Sequence, residues 1–265
     1  MSASAVRTVP NKPPVLLTRP VAMALAVAGA LALAGCRGAT AIDAVAPRRV
    51  LFIGNSLTTT NDVPGLVEAL SIADGERILC RTVAFGGYSL EDHWNRGDAR
   101  RTIAEGGWTT VVLQQGPSSL PESRVLLVDY ARRFANEARR VGAATALYMV
   151  WPSADRQTDF DGVKTSYSAA AQAVGGVLLP AGEAWRAAWK WNAELAFYGP
   201  DRFHPTPLGS YLAALVIYQR LSGRTEVRTR PALKSREGLP IASPVELDAQ
   251  LQRIATETNL RIPPG

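Results

Sequence analysis

The chain has 265 residues, 47% of them hydrophobic and 20% charged, which is apolar material enough for a sizeable core and too balanced a composition for a disordered segment. A formal charge of +6, with no dense Lys/Arg cluster interleaved with aromatics, leaves no footprint of a nucleic-acid binder. Two cysteines exclude a disulfide-stapled scaffold.

The first element is an export signal. Arg7, Lys12 and Arg19 precede an apolar run, "VAMALAVAGALAL", at 21–33. Its thirteen residues fall short of the roughly 20 that a membrane-spanning helix needs. The run ends in Leu33-Ala34-Gly35-Cys36, which resembles the lipobox of bacterial lipoproteins, where the signal is cut before the cysteine and the thiol carries a diacylglycerol. That resemblance implies signal peptide 1–35, lipidation at Cys36, stable attachment through two or more acyl chains, and a place in the bacterial cell envelope, periplasm-facing or at the cell surface. An ordinary signal peptide with an incidental cysteine, or an uncleaved anchor, is the plainer account of the same residues. Residues 1–35 hold three bases and no acids, so their removal lowers the charge to +3. It also leaves Cys80 as the remaining thiol, in an apolar strand-like run where an inert core role is expected.

Residues 36–48 read as a linker, and 49–221 then alternate strand-like and helix-like patterns. Strands are expected at 49–53, 78–84, 110–114, 145–150 and 176–179. They are short, rich in Val, Leu and Ile, and barely alternate, as parallel strands covered on both faces do. Helices are expected at 63–73, 90–104, 125–141 and 160–173. A closing helix at 207–221 sets Leu208, Leu212, Leu215, Tyr211 and Tyr218 on helical spacing. This is a doubly wound, flavodoxin-like, five-stranded parallel sheet with helices on both faces, a three-layer α/β/α fold with its site at the carboxyl ends of the strands. Residues 222–265 form a polar C-terminal extension, in which "SPVELDAQLQRIATETN" reads as one helix without an assigned place.

Four segments at strand ends or helix starts carry candidate chemistry. The first strand empties into Gly54-Asn55-Ser56, and a hydroxyl held at a strand end is either part of a plain turn or a nucleophile. A serine needs a base to remove its proton, and histidine is the side chain suited to that near neutrality. His204 stands three residues after Asp201 in "DRFHPTPLGSYLAA", close enough for the carboxylate to orient the imidazole. Thr206 as N-cap and Pro207 as first helical residue would fix the exit into the closing helix. Alone, Asp-x-x-His would be an ordinary surface turn.

Together with "AFGGYSLEDHW" after the second strand and "VVLQQGPSS" at the end of the third, these segments resemble the SGNH (GDSL-like) hydrolases, within them an uncharacterised lipoprotein-like branch with a GNS block. The resemblance spans about 49–221. It implies Ser56 as nucleophile, His204 as general base and Asp201 as its orienter. An oxyanion hole would be built from the N–H of Ser56, from Gly87 and from a side-chain amide. The family's usual asparagine is missing from the third block. Gln115-Gly116-Pro117-Ser118 is similar instead to the Gln-Gly-Glu-Ser of some carbohydrate-esterase members, so Gln115 is favoured as the donor over its alternative Gln114; two polar residues capping a strand end is the plainer account of the pair.

Asn55 is expected to brace its own turn, and His93 to be a satisfied structural histidine. Trp151, closing the fourth strand, is a candidate sugar platform; Trp185 and Trp189 suit helix packing better, with Trp191 beside them. Two distant histidines without paired cysteines argue against zinc, and no phosphate loop follows a strand. No metal or organic cofactor is implied. The resulting expectation is an exported serine esterase that removes small acyl groups, acetyl above all, from carbohydrate, with a membrane contact through its lipid and no nucleic-acid partner. Its rivals are a non-catalytic glycan-binding lipoprotein on the same fold and an acyltransferase using the same triad.

Overall fold

Val50, Leu51, Phe52 and Ile53 are each at most 2% exposed, the burial expected of a strand in the middle of a sheet covered on both faces. They belong to β1 (Arg48–Gly54) of a computed structural model that describes residues 46–228 and 245–262. The signal-like segment 1–35, Cys36, most of the 36–48 linker and part of the C-terminal extension lie outside the described residues.

Four further strands complete the sheet: β2 (Ile78–Ala84), β3 (Thr110–Leu113), β4 (Ala144–Tyr148) and β5 (Val177–Leu179). Their order is β2-β1-β3-β4-β5, with every neighbouring pair parallel. The chain leaves β1 in one direction to form β2 and then crosses back over β1 to form β3. The carboxyl ends of β1 and β3 therefore border the switch point where doubly wound sheets build their sites. Register brings the carboxyl ends of β2, β1 and β3 level, since Gly54 pairs with Ala84 of β2 and Ile53 with Leu113 of β3.

The helices are α1 (Ser56–Thr59), α2 (Val63–Ala73), α3 (Leu90–Arg96), α4 (Asp98–Ala104), α5 (Pro121–Arg140), α6 (Phe160–Val174), α7 (Ala181–Trp191), α8 (Pro207–Ser222) and α9 (Val245–Arg261). One layer runs through α2, α8, α7 and α9, each packed on the next or on α8; the other runs through α3, α4, α5 and α6. The architecture is the expected three-layer α/β/α sheet.

Departures from the sequence expectation are local and have local causes. The single helix expected over 90–104 is two, because the chain turns left-handed at Gly97, with φ of 87°, between α3 and α4. β2 alternates, burying Ile78 and Cys80 and exposing Leu79 and Arg81, because it lies at the edge of the sheet. α7, which the strand-and-helix reading left out, buries Trp185 and Ala188 against the core. The helix expected late in the extension is α9, and it joins the same core: Leu251, Ile254 and Ala255 are buried, and Asn259 donates to the carbonyl of Val216 on α8 at 3.1 Å.

Candidate active site

At the end of β1 the chain stops being apolar and stops being a strand. Asn55 acts as the N-cap of the short helix α1, its Oδ1 accepting the N–H of Leu57 at 3.0 Å. Ser56 is thereby the first helical residue, a position whose backbone N–H has no partner inside the helix. The hydroxyl of Ser56, half-buried, lies 2.8 Å from Nε2 of His204, 148 residues away in the chain.

His204 reaches this point on a loop stitched at several places. Gly199 N donates to His204 O at 2.7 Å, Thr206 N donates to Phe197 O at 2.8 Å, and Tyr198 and Pro205 form an antiparallel bridge. Thr206 caps α8 by accepting the N–H of Gly209, with Pro207 first in the helix. From the opposite side Asn61, just past α1, donates to Pro205 O at 2.9 Å and to Ser210 Oγ at 3.0 Å. These bonds hold the serine turn and the histidine loop against each other.

Asp201 completes the line. Its Oδ2 lies 2.5 Å from Nδ1 of His204, and its Oδ1 accepts the backbone N–H groups of Phe203 (3.1 Å) and His204 (3.0 Å). The bond from His204, followed by the two backbone donors, holds the carboxyl at a pKa of about 2. An ionised carboxylate can only accept, so Nδ1 of the ring carries the proton directed at it. Nε2 then presents a lone pair, and the Ser56 hydroxyl is the donor across the 2.8 Å contact. The three residues form a directional relay able to take a proton from a serine.

The second strand's loop is drawn in by Asn55, whose Nδ2 donates to Tyr88 O at 3.0 Å. Gly87, one residue earlier, is exposed and has φ of 73°, a left-handed conformation that glycine adopts without strain.

Gln115 and Gln114 end on different partners. The Gln115 amide accepts the N–H of Leu90 at 3.1 Å and donates to Ser118 Oγ at 2.8 Å, while its backbone N–H and carbonyl meet the hydroxyl of the buried Tyr167. The Gln114 amide is wholly buried and turned to Asn55 and Thr58.

Trp151 does not serve as a sugar platform: none of its surface is exposed. Its ring stacks on Trp185 with centroids 3.6 Å apart, and its Nε1 donates to Phe203 O at 3.1 Å. A strand end beside the site made it look available. In the fold it lies beneath the histidine loop and supports it. Trp185 is likewise buried, whereas Trp191, at the end of α7, is half exposed. His93 is also fully buried, its Nε2 donating to Gly54 O at 2.7 Å while Nδ1 has no partner. Burial pushes its pKa down, ahead of the opposing pull of the Gly54 carbonyl. Sequence reasoning gave no role to Asn61 and weighed Gln114 only as the alternative oxyanion donor. Two polar residues directly after the apolar β3 were the signal for a buried amide there.

Among the described residues, no group of three or more His, Cys, Asp or Glu side chains is placed to hold a metal ion, and no helix is long and apolar enough to cross a membrane.

No protein-family model and no curated protein matches the chain. Solved structures do. A protein from Slackia heliotrinireducens provisionally assigned to the SGNH hydrolases is 27% identical, with a TM-score of 0.57 over 66% of this chain and 99% of its own. A DUF4886 family protein from Bacteroides uniformis is 19% identical, with a TM-score of 0.62 over 80% of this chain and 92% of its own. A mutant of an acetyl-xylooligosaccharide esterase from Geobacillus is 19% identical, with a TM-score of 0.51 over 69% and 97%.

Proposed function

We propose that this chain, whose fold is that of the SGNH/GDSL-like hydrolases, is a serine esterase acting on small acyl esters. The observation that carries the reading is the continuous line from Ser56 Oγ through the two ring nitrogens of His204 to Asp201, at 2.8 and 2.5 Å. Ser56 Oγ attacks the ester carbonyl as its proton passes to His204 Nε2, forming a tetrahedral oxyanion. Collapse breaks the bond to the alkoxy oxygen, which takes the proton from Nε2 and leaves as the alcohol. Water, deprotonated by the same nitrogen, then releases the acid and restores the serine. Asp201 holds the ring in the required tautomer and stabilises its cation without itself taking the proton.

For the oxyanion, the reading uses the N–H groups of Ser56 and Gly87. Gln115 enters through the second hydrogen of its Nε2, the first being bound to Ser118. A short acyl group on a hydrophilic alcohol is the favoured substrate. Arg202, next to Asp201, and Thr59 on α1, Gly86 and Gly87 after β2 and Gly116 after β3 are small or polar and at least partly exposed. The Gln-Gly-Pro-Ser block supports a carbohydrate acetyl ester within that class. The buried Trp151 lends it nothing.

Export and lipid anchoring through Cys36 belong to the same proposal and rest on the amino-terminal sequence. Cys36→Ser would then shift the protein from the membrane to the soluble fraction. Catalysis is tested with p-nitrophenyl acetate and a fluorophosphonate probe. The wild type should hydrolyse the one and be labelled by the other, and Ser56→Ala should do neither while melting as the wild type does. A fully active Ser56→Ala protein rejects the mechanism.

A further inference from the structure

The Gln114 side chain, on the first residue past β3, has none of its surface exposed, and an amide buried so completely must satisfy both of its ends. It does so at four points. Oε1 accepts the backbone N–H of Asn55 at 2.8 Å and the hydroxyl of Thr58 at 2.7 Å; Nε2 donates to Asn55 Oδ1 at 2.9 Å and to Gln115 O at 2.6 Å. Three of these bonds go to residues that bracket Ser56, one before it and one two positions after. The fourth ties the same amide to the loop that carries Gln115.

Asn55 passes the constraint on. Its Oδ1, fixed by Gln114, also accepts the N–H of Leu57, and its Nδ2 holds Tyr88 O. The glycine before it belongs to the same unit. A Cβ on Gly54 would stand 2.4 Å from Gln114 Oε1 and 2.5 Å from Thr58 Oγ1, far inside contact distance. The amide therefore packs directly on the Gly54 backbone, in space that only glycine leaves open. Gly54, Asn55, Thr58 and Gln114 interlock around the serine without any of them reaching toward His204.

We infer that Gln114 is a positioning residue for the nucleophile: through Asn55 and Thr58 it fixes the turn that aims the Ser56 hydroxyl at His204. The inference rests on the esterase reading, and it assigns Gln114 a role separate from the oxyanion donor expected of its neighbour Gln115. A misplacement of about 1 Å at a reacting group costs on the order of 10²-fold in rate, so a clamp of this kind acts on turnover rather than on substrate binding.

The decisive variants are Gln114→Glu and Gln114→Met, purified and compared with the wild type for kcat and KM on p-nitrophenyl acetate, fluorophosphonate labelling rate and Tm. Gln114→Glu keeps the side chain's shape and both bonds accepted by Oε1, but sets a carboxylate oxygen against two acceptors, Asn55 Oδ1 and Gln115 O. Protonation returns one donor. Buried carboxyls titrate above their ordinary range, so the ratio of variant to wild-type kcat should rise as pH falls. In both variants kcat should drop on the order of 10²-fold and labelling should slow in parallel, with KM changed by no more than about twofold.

Lowered Tm with wild-type kcat per labelled site, and a kcat ratio flat in pH, would overturn the positioning role and leave the esterase reading intact. A wild type that neither hydrolyses the ester nor takes the label overturns both. Should neither Gln114 variant fold, Thr58→Val keeps the branched shape and removes one bond to Oε1; a several-fold loss of kcat with a Tm lower by only a few degrees is expected, and wild-type kcat there rejects the role.

Discussion

Asp201 and His204 are three residues apart, and the same carboxylate that meets the ring at 2.5 Å also accepts the backbone N–H of His204 at 3.0 Å. The pair is thus oriented within one turn of chain and needs no distant element to align it. Because the carboxyl is held at about pH 2, its contribution to stability is present above the ordinary carboxylate value of about 3.9 and is lost as pH falls through about 2. Asp201 accordingly stays charged through mildly acidic solution. Asp201→Asn keeps an oxygen for the N–H groups of Phe203 and His204, so the loop should fold. Its amide can also present a donor to Nδ1, which would leave Nε2 protonated and facing Ser56 as a donor. Turnover should fall on the order of 10²–10⁴-fold with little change in Tm. Activity near that of the wild type would remove Asp201 from the relay.

Gly54→Ala tests the close approach behind the nucleophile. The added methyl would have to displace Gln114 Oε1 or Thr58 Oγ1, and both are tied into buried bonds. Overpacking of this kind costs about 1–3 kcal/mol. The variant should show a lower urea midpoint together with reduced kcat. A variant that matches the wild type in both would mean that the turn opens more easily than its bonds indicate.

Legibility in the sequence followed the range of the interactions. The central strands β1 and β3 were readable because burial on both faces imposes apolar runs such as Val50–Ile53 and Val111–Leu113, and the Thr206–Pro207 start of α8 because a helix cap is written within four residues. Ser56, Asp201 and His204 stood out as chemistry in short blocks, and the fold brings them together. The two glutamines could not be assigned in the same way. Adjacent residues at the end of a strand point to opposite faces, so one amide turns to β1 and Asn55 while the other turns to α3 and Leu90. Which does which depends on what lies across each face, and that is tertiary information. Trp151 failed as a ligand platform for a related reason, since its burial is set by α7 and the loop at 203, both distant in the chain.

His93 should make stability depend on pH. Burial is the largest influence on its ring and favours the neutral form; the Gly54 carbonyl, Asp92 and Asp98 pull toward the charged form, and Arg96 opposes them. An unfolded histidine takes up its proton near pH 6.5. Below that the unfolded chain binds more protons than the folded one, so stability falls as pH drops through this region. His93→Gln keeps a donor within reach of Gly54 O and removes the titration. Its Tm should decline less than that of the wild type between about pH 7 and 5 in paired melts. Equal slopes would assign the acid sensitivity to other groups.

Trp151→Phe separates support of the histidine loop from contact with a sugar. The phenyl ring can still stack on Trp185, so the core should stay filled, but the donor to Phe203 O is lost. Losing a bond of this kind typically costs about 1 kcal/mol, and here the cost falls on the residue next to His204. The expected result is a several-fold lower kcat on both p-nitrophenyl acetate and an acetylated xylo-oligosaccharide, with KM for the sugar ester unchanged. A ring that met the substrate would instead raise KM for the sugar ester alone. That outcome would require the loop at 203 to open during turnover, because in the closed arrangement the indole has no exposed face.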